Sequence, residues 1–219
     1  VTLLGQNVNS FRHRGERFPD LLQAVAEVPG VQRVRFTSPH PQDIDDDMLF
    51  VMRDNANLCK SIHLPLQAGS DRILKRMNRT YSQAEFLALV SRIRDLLPGC
   101  GLTTDIIVGF PGETREEFDE TLQVMEKIKF DSAFTFKYSP RPGTKATEYS
   151  DHVSESEKQA RLESLITAQK RHTLFRNRRE ISEIVKVMVE KESKKSSDVW
   201  AGRTDTNKWV LFAKKTTQV

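Results

Sequence analysis

Amides, hydroxyls and glycines follow the apolar segments of this 219-residue chain, and such groups hydrogen-bond a ligand more readily than they transfer protons. The segment 62–77, IHLPLQAGSDRILKRM, shows the pattern best. An apolar run breaks at Pro65, passes through Gln67 and Ser70, and continues into a cationic helix. These residues either form a turn or face a bound molecule. Similar groups follow four other apolar runs, in GQNVNS (5–10), TSPHP (37–41), GFPGET (109–114) and YSPRPGT (138–144).

The sequence of these five segments offers little proton chemistry of its own. It contains no Ser–His–Asp set, no HExxH and no GxxxxGK, and GFPGE is a weak phosphate loop. We expect His63 to face the core. We expect Asp105, inside an apolar strand, to need a buried partner such as a lysine or a backbone amide. The segments therefore indicate a cradle for a polar, partly charged small molecule that carries its own reactivity.

Strand and helix patterns alternate through residues 1–139 and predict a parallel α/β sheet with helical crossovers. In such a sheet the five polar segments all lie at the carboxyl ends of the strands, where ligands bind. The sheet is either open or part of a barrel with one or more strands before Val1. Strands are expected at 1–5, 31–37, 59–66, 102–110 and 132–139, and helices at 18–28, 43–55, 82–97 and 114–128.

The pattern changes after residue 150. A basic helix to about residue 181 precedes strand-like runs at 183–190, 198–203 and 208–213, which predict a small antiparallel β unit. Residues 151–219 carry 15 Lys/Arg and 10 Asp/Glu, whereas residues 1–150 carry 19 and 20. This basic excess indicates either contact with nucleic acid or a solvated helix face.

The two cysteines, Cys59 and Cys100, lie 41 positions apart and fit no metal-ligand spacing. We expect them to be reduced thiols of a cytoplasmic protein. No segment approaches the roughly 20 apolar residues of a membrane helix, so no membrane contact is expected. The chain opens inside a strand without an initiating Met, which suggests a fragment whose beginning is missing.

Long motifs of the chain resemble the MiaB-type tRNA methylthiotransferases of the radical S-adenosylmethionine (SAM) superfamily. GRTDTNKWVLF resembles the start of the TRAM domain of that family, a small β-barrel that binds tRNA. The resemblance implies a partial radical SAM (β/α)6-type barrel over residues 1–150, a basic connecting helix over 151–182 and a truncated TRAM-like domain over 183–219. The motifs are VTLLGQNVNS, RFTSPHP, HLPLQAGSDRILKRMNRTYS, TTDIIVGFPGETREEF and YSPRPGTKA.

The resemblance implies an enzyme that attaches a methylthio group to C2 of N6-isopentenyladenosine beside the tRNA anticodon. Such enzymes use SAM, two 4Fe–4S clusters and an external electron donor, and one cluster is held by a CxxxCxxC loop. This sequence has no CxxxCxxC. We therefore expect the chain alone to hold neither cluster and to be inactive, and its parent protein to be a cytoplasmic monomer. The alternatives are the sister enzymes that act on threonylcarbamoyl-adenosine, and a catalytically dead RNA-binding remnant.

The resemblance also implies which residues meet SAM. The small departure at Ala68, where many relatives have Ser, leaves the neighbouring polar residues in place. By this resemblance Gln6 and Asn7 meet the methionine amino group, Gln67 and Ser70 meet the ribose and the carboxylate, and Arg79 also meets the carboxylate. Asp105 and the backbone of residues 108–110, including Phe110, lie on the adenine side. Ser38 and residues 138–141 line the cavity wall.

Overall fold

The computed structural model describes residues 1–214, in which strands and helices alternate. In chain order the elements are β1 Thr2–Leu3, β2 Arg12–His13, β3 Glu16–Arg17, α1 Phe18–Ala26, β4 Arg35–Phe36, α2 Asp46–Asp54, β5 Ser61–His63, α3 Asp71–Arg76, α4 Gln83–Leu96, β6 Gly101–Val108, α5 Arg115–Ile128, β7 Ser132–Lys137, α6 Glu155–Arg178, β8 Val187–Ser193, β9 Ser196–Thr204 and β10 Trp209–Ala213.

Five parallel strands follow the chain in the order β1, β4, β5, β6 and β7. A parallel bridge between Val34 and Leu58 joins the β1–β4 pair to the β5–β6–β7 sheet. The predicted parallel α/β sheet, followed by a small antiparallel sheet, is therefore confirmed. The sequence patterns missed the short β2–β3 hairpin, whose turn residues Arg14 and Gly15 both have positive φ.

The two faces of the sheet differ in their burial. Along β6, Leu102, Ile106 and Val108 are fully buried in the core beneath the helices. Their neighbours Thr103 and Asp105 point to the opposite side, which is partly exposed and which we call the inner face. The alternation thus separates a structural side of the strand from a side that can meet a ligand.

Capping boxes form at the starts of α4 and α5. The Ser82 hydroxyl accepts a hydrogen bond from the Glu85 N–H, and the Glu85 carboxylate accepts one from the Ser82 N–H. Thr114 and Glu117 repeat the arrangement at α5. Because each box satisfies two helix-end donors within four residues, the sequence alone locates these helix starts.

Helix α6 lies against β7 and α5 and buries a polar stripe rather than an apolar one. Lys158, Arg161, Gln169 and His172 are buried with Leu165 at intervals of three or four residues. Gln169 donates to the Phe130 carbonyl, so the stripe is held by specific hydrogen bonds. The basic character of this helix in the sequence therefore reflects buried partners as well as solvated charge.

The small sheet β8–β9–β10 lies at the amino ends of the parallel strands. Arg33 Nη1 donates to the Arg203 carbonyl at 2.5 Å, and the Lys60 N–H donates to Asp205 at 3.3 Å. The predicted boundaries were partly wrong, since β8 runs to Ser193 and only a two-residue turn separates it from β9. Exposed strands tolerate the Lys and Ser residues of this segment. No helix within residues 1–214 is long and apolar enough to cross a membrane.

Candidate ligand site at the carboxyl ends of the strands

The proline break after β5 turns Gln67 toward a cavity. The Leu66 N–H is bound by the Thr104 hydroxyl at 2.9 Å instead of by a strand carbonyl. The ladder resumes at Gln67, which donates to the Asp105 carbonyl and accepts from the Ile107 N–H. Gln67 has a φ of +67°, in the left-handed region that non-glycine residues rarely adopt. This conformation holds a buried amide side chain at the cavity wall.

Gly69 and Ser70 anchor the same loop to α5. A Cβ on Gly69 would lie 2.5 Å from Thr121 Cα, and the Gly69 N–H donates to the Thr121 hydroxyl. The Ser70 hydroxyl caps α3 and donates to Glu117. In this stretch, therefore, the amide of Gln67 lines the cavity, whereas the glycine and the hydroxyl fix the loop.

The Tyr81 hydroxyl holds the break from the other side, donating to the Pro65 and Leu66 carbonyls at 2.9 and 3.2 Å. Burial raises the pKa of Tyr81 to about 12, above its value of 10 in the unfolded chain. A raised folded-state pKa gives stability that is complete below pH 10 and is lost as the pH rises toward 12.

We predict that wild-type protein loses about 1.3 kcal/mol more unfolding free energy between about pH 9 and about pH 11 than Tyr81→Phe does. The phenylalanine variant has no hydroxyl to ionise, so it serves as the reference for all other alkaline effects. Denaturant unfolding at the two pH values measures the difference. Equal losses in the two proteins would contradict the buried, hydrogen-bonded Tyr81.

A cavity of about 660 Å³ opens at the carboxyl ends of β5, β6 and β7. The buried Tyr138 hydroxyl has no hydrogen-bond partner among residues 1–214, and the same holds for Arg76 Nε. The Tyr138 ring packs edge-on against Phe110 at 5.1 Å between ring centroids. Buried polar atoms without partners are uncommon in folded proteins, so a ligand that completes these bonds is expected here.

Positively charged side chains outnumber negatively charged ones around the cavity. Arg79, Arg141 and Lys145 are exposed along it and form no ion pair with any residue in the described part of the chain. Arg76 instead pairs with Asp151 at 2.8 Å. Since Asp105 is the acidic residue among the described residues of the lining, the mouth carries a net positive charge suited to anionic groups.

Two expectations about the inner face were wrong. His63 does not face the core but lies partly exposed, with Nδ1 2.9 Å from Thr103 Oγ1 and Nε2 3.2 Å from Asp105 Oδ2. Asp105 is likewise partly exposed, and its partner is this histidine rather than a lysine or a backbone amide. The side chains of His63 and Asp105 are 24% and 29% exposed, so a carboxylate in the middle of an apolar strand avoids the cost of full burial.

The structure brings together four of the eight residues expected at the site. Gln67, Arg79, Asp105 and Phe110 line the cavity, whereas Gln6, Asn7, Ser38 and Ser70 are not part of its lining. Gln6, Asn7 and Ser38 are exposed in the loops after β1 and β4, where the Val8 N–H donates to the Ser38 carbonyl. Sequence reasoning missed Ile107 and Phe136, although their alternation with Asp105 and Tyr138 could have revealed them.

The two cysteines lie away from the cavity. Cys59 and Cys100 precede β5 and β6, at the amino ends of the strands, and both are buried. Burial raises the pKa of Cys100 to about 12, so its thiol stays protonated and is a poor metal ligand. Within residues 1–214 no three His, Cys, Asp or Glu side chains gather in a way that could hold a metal ion.

Comparison with known families gives the class of protein. Residues 1–125, more than half of the chain, match the radical SAM superfamily. The chain therefore belongs to the radical SAM superfamily.

Individual proteins that are similar in sequence to this chain support the resemblance seen in the motifs. Over 97–98% of its length the chain is 46–47% identical to the tRNA-2-methylthio-N(6)-dimethylallyladenosine synthases of Acetivibrio thermocellus, Fusobacterium nucleatum and Porphyromonas gingivalis. The predicted resemblance to the tRNA methylthiotransferases is thus confirmed. The chain spans about half the length of these relatives, 45–49%.

Solved structures support the fold. Coproporphyrinogen III oxidase (HemN) of Escherichia coli, described as a radical SAM enzyme, superposes with a TM-score of 0.54 at 16% identity, covering 85% of this chain and 50% of that one. Elp3 of Methanocaldococcus infernus superposes with a TM-score of 0.50 at 10% identity, covering 89% of this chain and 57% of that one. These distant likenesses bear on the fold alone.

Proposed function

We propose that this chain forms the SAM-binding and substrate-binding part of a tRNA methylthiotransferase. Its parent protein would convert N6-isopentenyladenosine (N6-dimethylallyladenosine) beside the anticodon into the 2-methylthio derivative, replacing C2–H by C2–S–CH3. The name shared by the relatives supports this substrate. The observation that carries the proposal is the cavity at the strand ends, with its positive mouth and with the Tyr138 hydroxyl, which has no partner among residues 1–214.

The cavity residues fit SAM, which carries a carboxylate, an ammonium, a sulfonium and ribose hydroxyls. We propose that Arg79 binds the carboxylate and that Asp105 faces the cationic part. The Gln67 amide and the Tyr138 hydroxyl supply hydrogen bonds, and Phe110 lies beside the adenine. Gln6, Asn7, Ser38 and Ser70 belong to loops at the same end of the sheet and stay proposed contacts.

The chemistry that bound SAM supplies is a methyl group and, after reductive cleavage, a radical that abstracts hydrogen. The role of this chain is to bind and orient SAM and the base. The iron–sulfur clusters of such a reaction do not fit Cys59 or Cys100, which lie at the opposite end of the strands. We propose that both clusters belong to parts of the parent protein outside this chain, and that an external donor supplies the electron.

The tRNA would be held at two places. Arg141 and Lys145, exposed at the cavity mouth, suit phosphate groups near the target base. The β8–β10 sheet, which we propose to be a TRAM-like domain within 183–219, offers the half-exposed Trp209 with Lys191 Nζ 4.8 Å and Arg203 Cζ 5.1 Å from its ring centroid. Aromatic rings beside cations suit single-stranded RNA. The whole protein would act as a monomer in the cytoplasm.

The proposed reaction is tested with the reconstituted parent protein, SAM and reductant. Three anticodon stem-loop RNAs are compared, which carry isopentenyladenosine, threonylcarbamoyl-adenosine or adenosine at the target position. Mass spectrometry of the nucleosides is expected to show methylthio product from the isopentenyl RNA. Product from the threonylcarbamoyl RNA alone would contradict the proposed substrate. Absence of product from all three RNAs, with SAM cleavage intact, would contradict the transferase assignment.

A further inference from the structure

Two phenylalanines lie largely uncovered on the inner face of the sheet. Phe134 is 60% exposed and Phe136 is 52% exposed. On the parallel neighbour β6 they pair with Asp105 and Ile107, so all four side chains point to the same side. We call Phe134 and Phe136 the aromatic shelf. Phe136 also lines the cavity, so the shelf continues the cavity wall toward the middle of the sheet.

A fixed hydrogen-bonding pair borders the aromatic shelf. His63 lies edge-on to Phe134, with ring centroids 6.1 Å apart, and its two nitrogens engage Thr103 and Asp105. The second carboxylate oxygen of Asp105, Oδ1, accepts no hydrogen bond from any residue in the described part of the chain. The inner face therefore presents an open acceptor directly beside an apolar surface.

We propose that the aromatic shelf receives the branched alkenyl group of the substrate base and that Asp105 accepts a hydrogen bond from its N6–H. The inference rests on the proposed function, which supplies the class of base. In an N6-alkenyl adenine the N–H donor is bonded directly to the first carbon of a five-carbon apolar group. This arrangement of donor and apolar group matches the open carboxylate oxygen next to Phe134 and Phe136.

The same surface selects against the substrate of the sister enzymes. A threonylcarbamoyl group carries a carboxylate and a hydroxyl, and the shelf offers neither of them a donor. Its carboxylate would also approach the anionic Asp105. Placing these polar groups on an apolar surface removes their hydration and gives them no hydrogen bonds in return. This desolvation cost weakens binding of the threonylcarbamoyl nucleoside and leaves binding of the alkenyl nucleoside unaffected.

Nucleoside binding to the 219-residue chain tests the shelf without any catalytic step. Equilibrium dialysis compares N6-dimethylallyladenosine, adenosine and N6-threonylcarbamoyladenosine. Partial burial of five carbons is expected to make the first bind about tenfold more tightly than adenosine. The double variant Phe134→Ser/Phe136→Ser should reduce this ratio to about one to three, because the contact with the alkenyl group is lost.

The matched control is Phe175→Ser, which removes a similarly exposed phenylalanine from α6, far from the inner face. Its binding ratio should equal that of wild type. Phe134→Ser alone, at the more exposed position, should give an intermediate ratio and guards against misfolding of the double variant.

Three results would overturn the inference: no preference for the alkenyl nucleoside in wild type, a preference retained in the double variant, or equal binding of the threonylcarbamoyl nucleoside. These outcomes are separate from those of the transfer reaction. A parent protein that methylthiolates isopentenyl RNA while this chain shows no alkenyl preference would overturn the shelf alone. An alkenyl preference lost in the double variant would support the shelf even if the parent formed no product.

Discussion

Replacing Arg161 by methionine is expected to destabilise the protein by about 3–5 kcal/mol, because it leaves a buried carboxylate without its positively charged partner. The side chains of Arg161 and Glu113 are only 5% and 1% exposed. Arg161 Nη1 donates to Glu113 Oε2 at 2.8 Å and to the Glu113 carbonyl at 3.0 Å. Glu113 also accepts the Gly109 N–H at 2.6 Å. Methionine keeps the bulk of the side chain but provides none of these donors.

The loss should depend on pH. Burial already raises the pKa of Glu113, and removing the guanidinium raises it further. A carboxyl whose pKa is raised in the folded state favours folding when protonated, and that contribution disappears as the pH rises through the folded pKa. Arg161→Met should therefore be less destabilised at about pH 5 than at about pH 8 in denaturant unfolding.

Two controls separate the buried pair from ordinary surface charge. The double variant Glu113→Gln/Arg161→Met removes both charges and should be more stable than Arg161→Met alone. Arg115→Met breaks the exposed pair with Asp119 and should cost less than about 1 kcal/mol. A loss below about 1 kcal/mol in Arg161→Met would contradict the uncompensated buried charge.

This pair matters for the site because it joins α6 to the loop that follows β6. The side chain of Lys158 lies so close to Gly109 that a Cβ there would come within 2.3 Å of Lys158 Cγ. The next residue, Phe110, lines the cavity. A helix with a basic sequence thus contributes to the position of the cavity wall.

Local signals explain what the sequence could predict of the fold. The capping boxes at Ser82 and Thr114 and the apolar run of β6 each depend on neighbours within a few residues. The sequence predicted helix α6 but not the face through which it packs. Its buried stripe includes Lys158 and Arg161 and lacks the apolar period that marks a packed helix. Its partners, such as Glu113, are distant in the sequence.

The sequence could predict those features of the site that depend on the residues at the end of a single strand. The proline before Gln67 signalled a break, and the structure shows that break at the cavity. The partnership of His63 with Asp105 joins two strands through side chains 42 positions apart, which no local pattern shows. The sequence could not show that Ser70 caps a helix, because a helix cap and a ligand contact use the same residue types.

Replacing both Gln67 and Asp105 by alanine is expected to weaken SAM binding at least about tenfold. Gln67 supplies a hydrogen bond to SAM and Asp105 supplies a negative charge that faces its cationic part, and a hydrogen bond that involves a charged group contributes about 1.5–3 kcal/mol. Both side chains line the cavity, and the backbone of Gln67, just after β5, is hydrogen-bonded to β6 at Asp105 and Ile107. The release of methionine and deoxyadenosine from SAM by the parent protein should fall in parallel.

The most direct test is equilibrium dialysis of labelled SAM against the reconstituted parent protein, in wild type, in Gln67→Ala/Asp105→Ala and in a control. Gln159→Ala/Asp119→Ala removes the same two residue types from exposed helix surfaces. We predict wild-type affinity in the control and at least about tenfold weaker binding in the cavity variant. Equal SAM affinity in all three proteins would contradict a SAM site at the carboxyl ends of these strands.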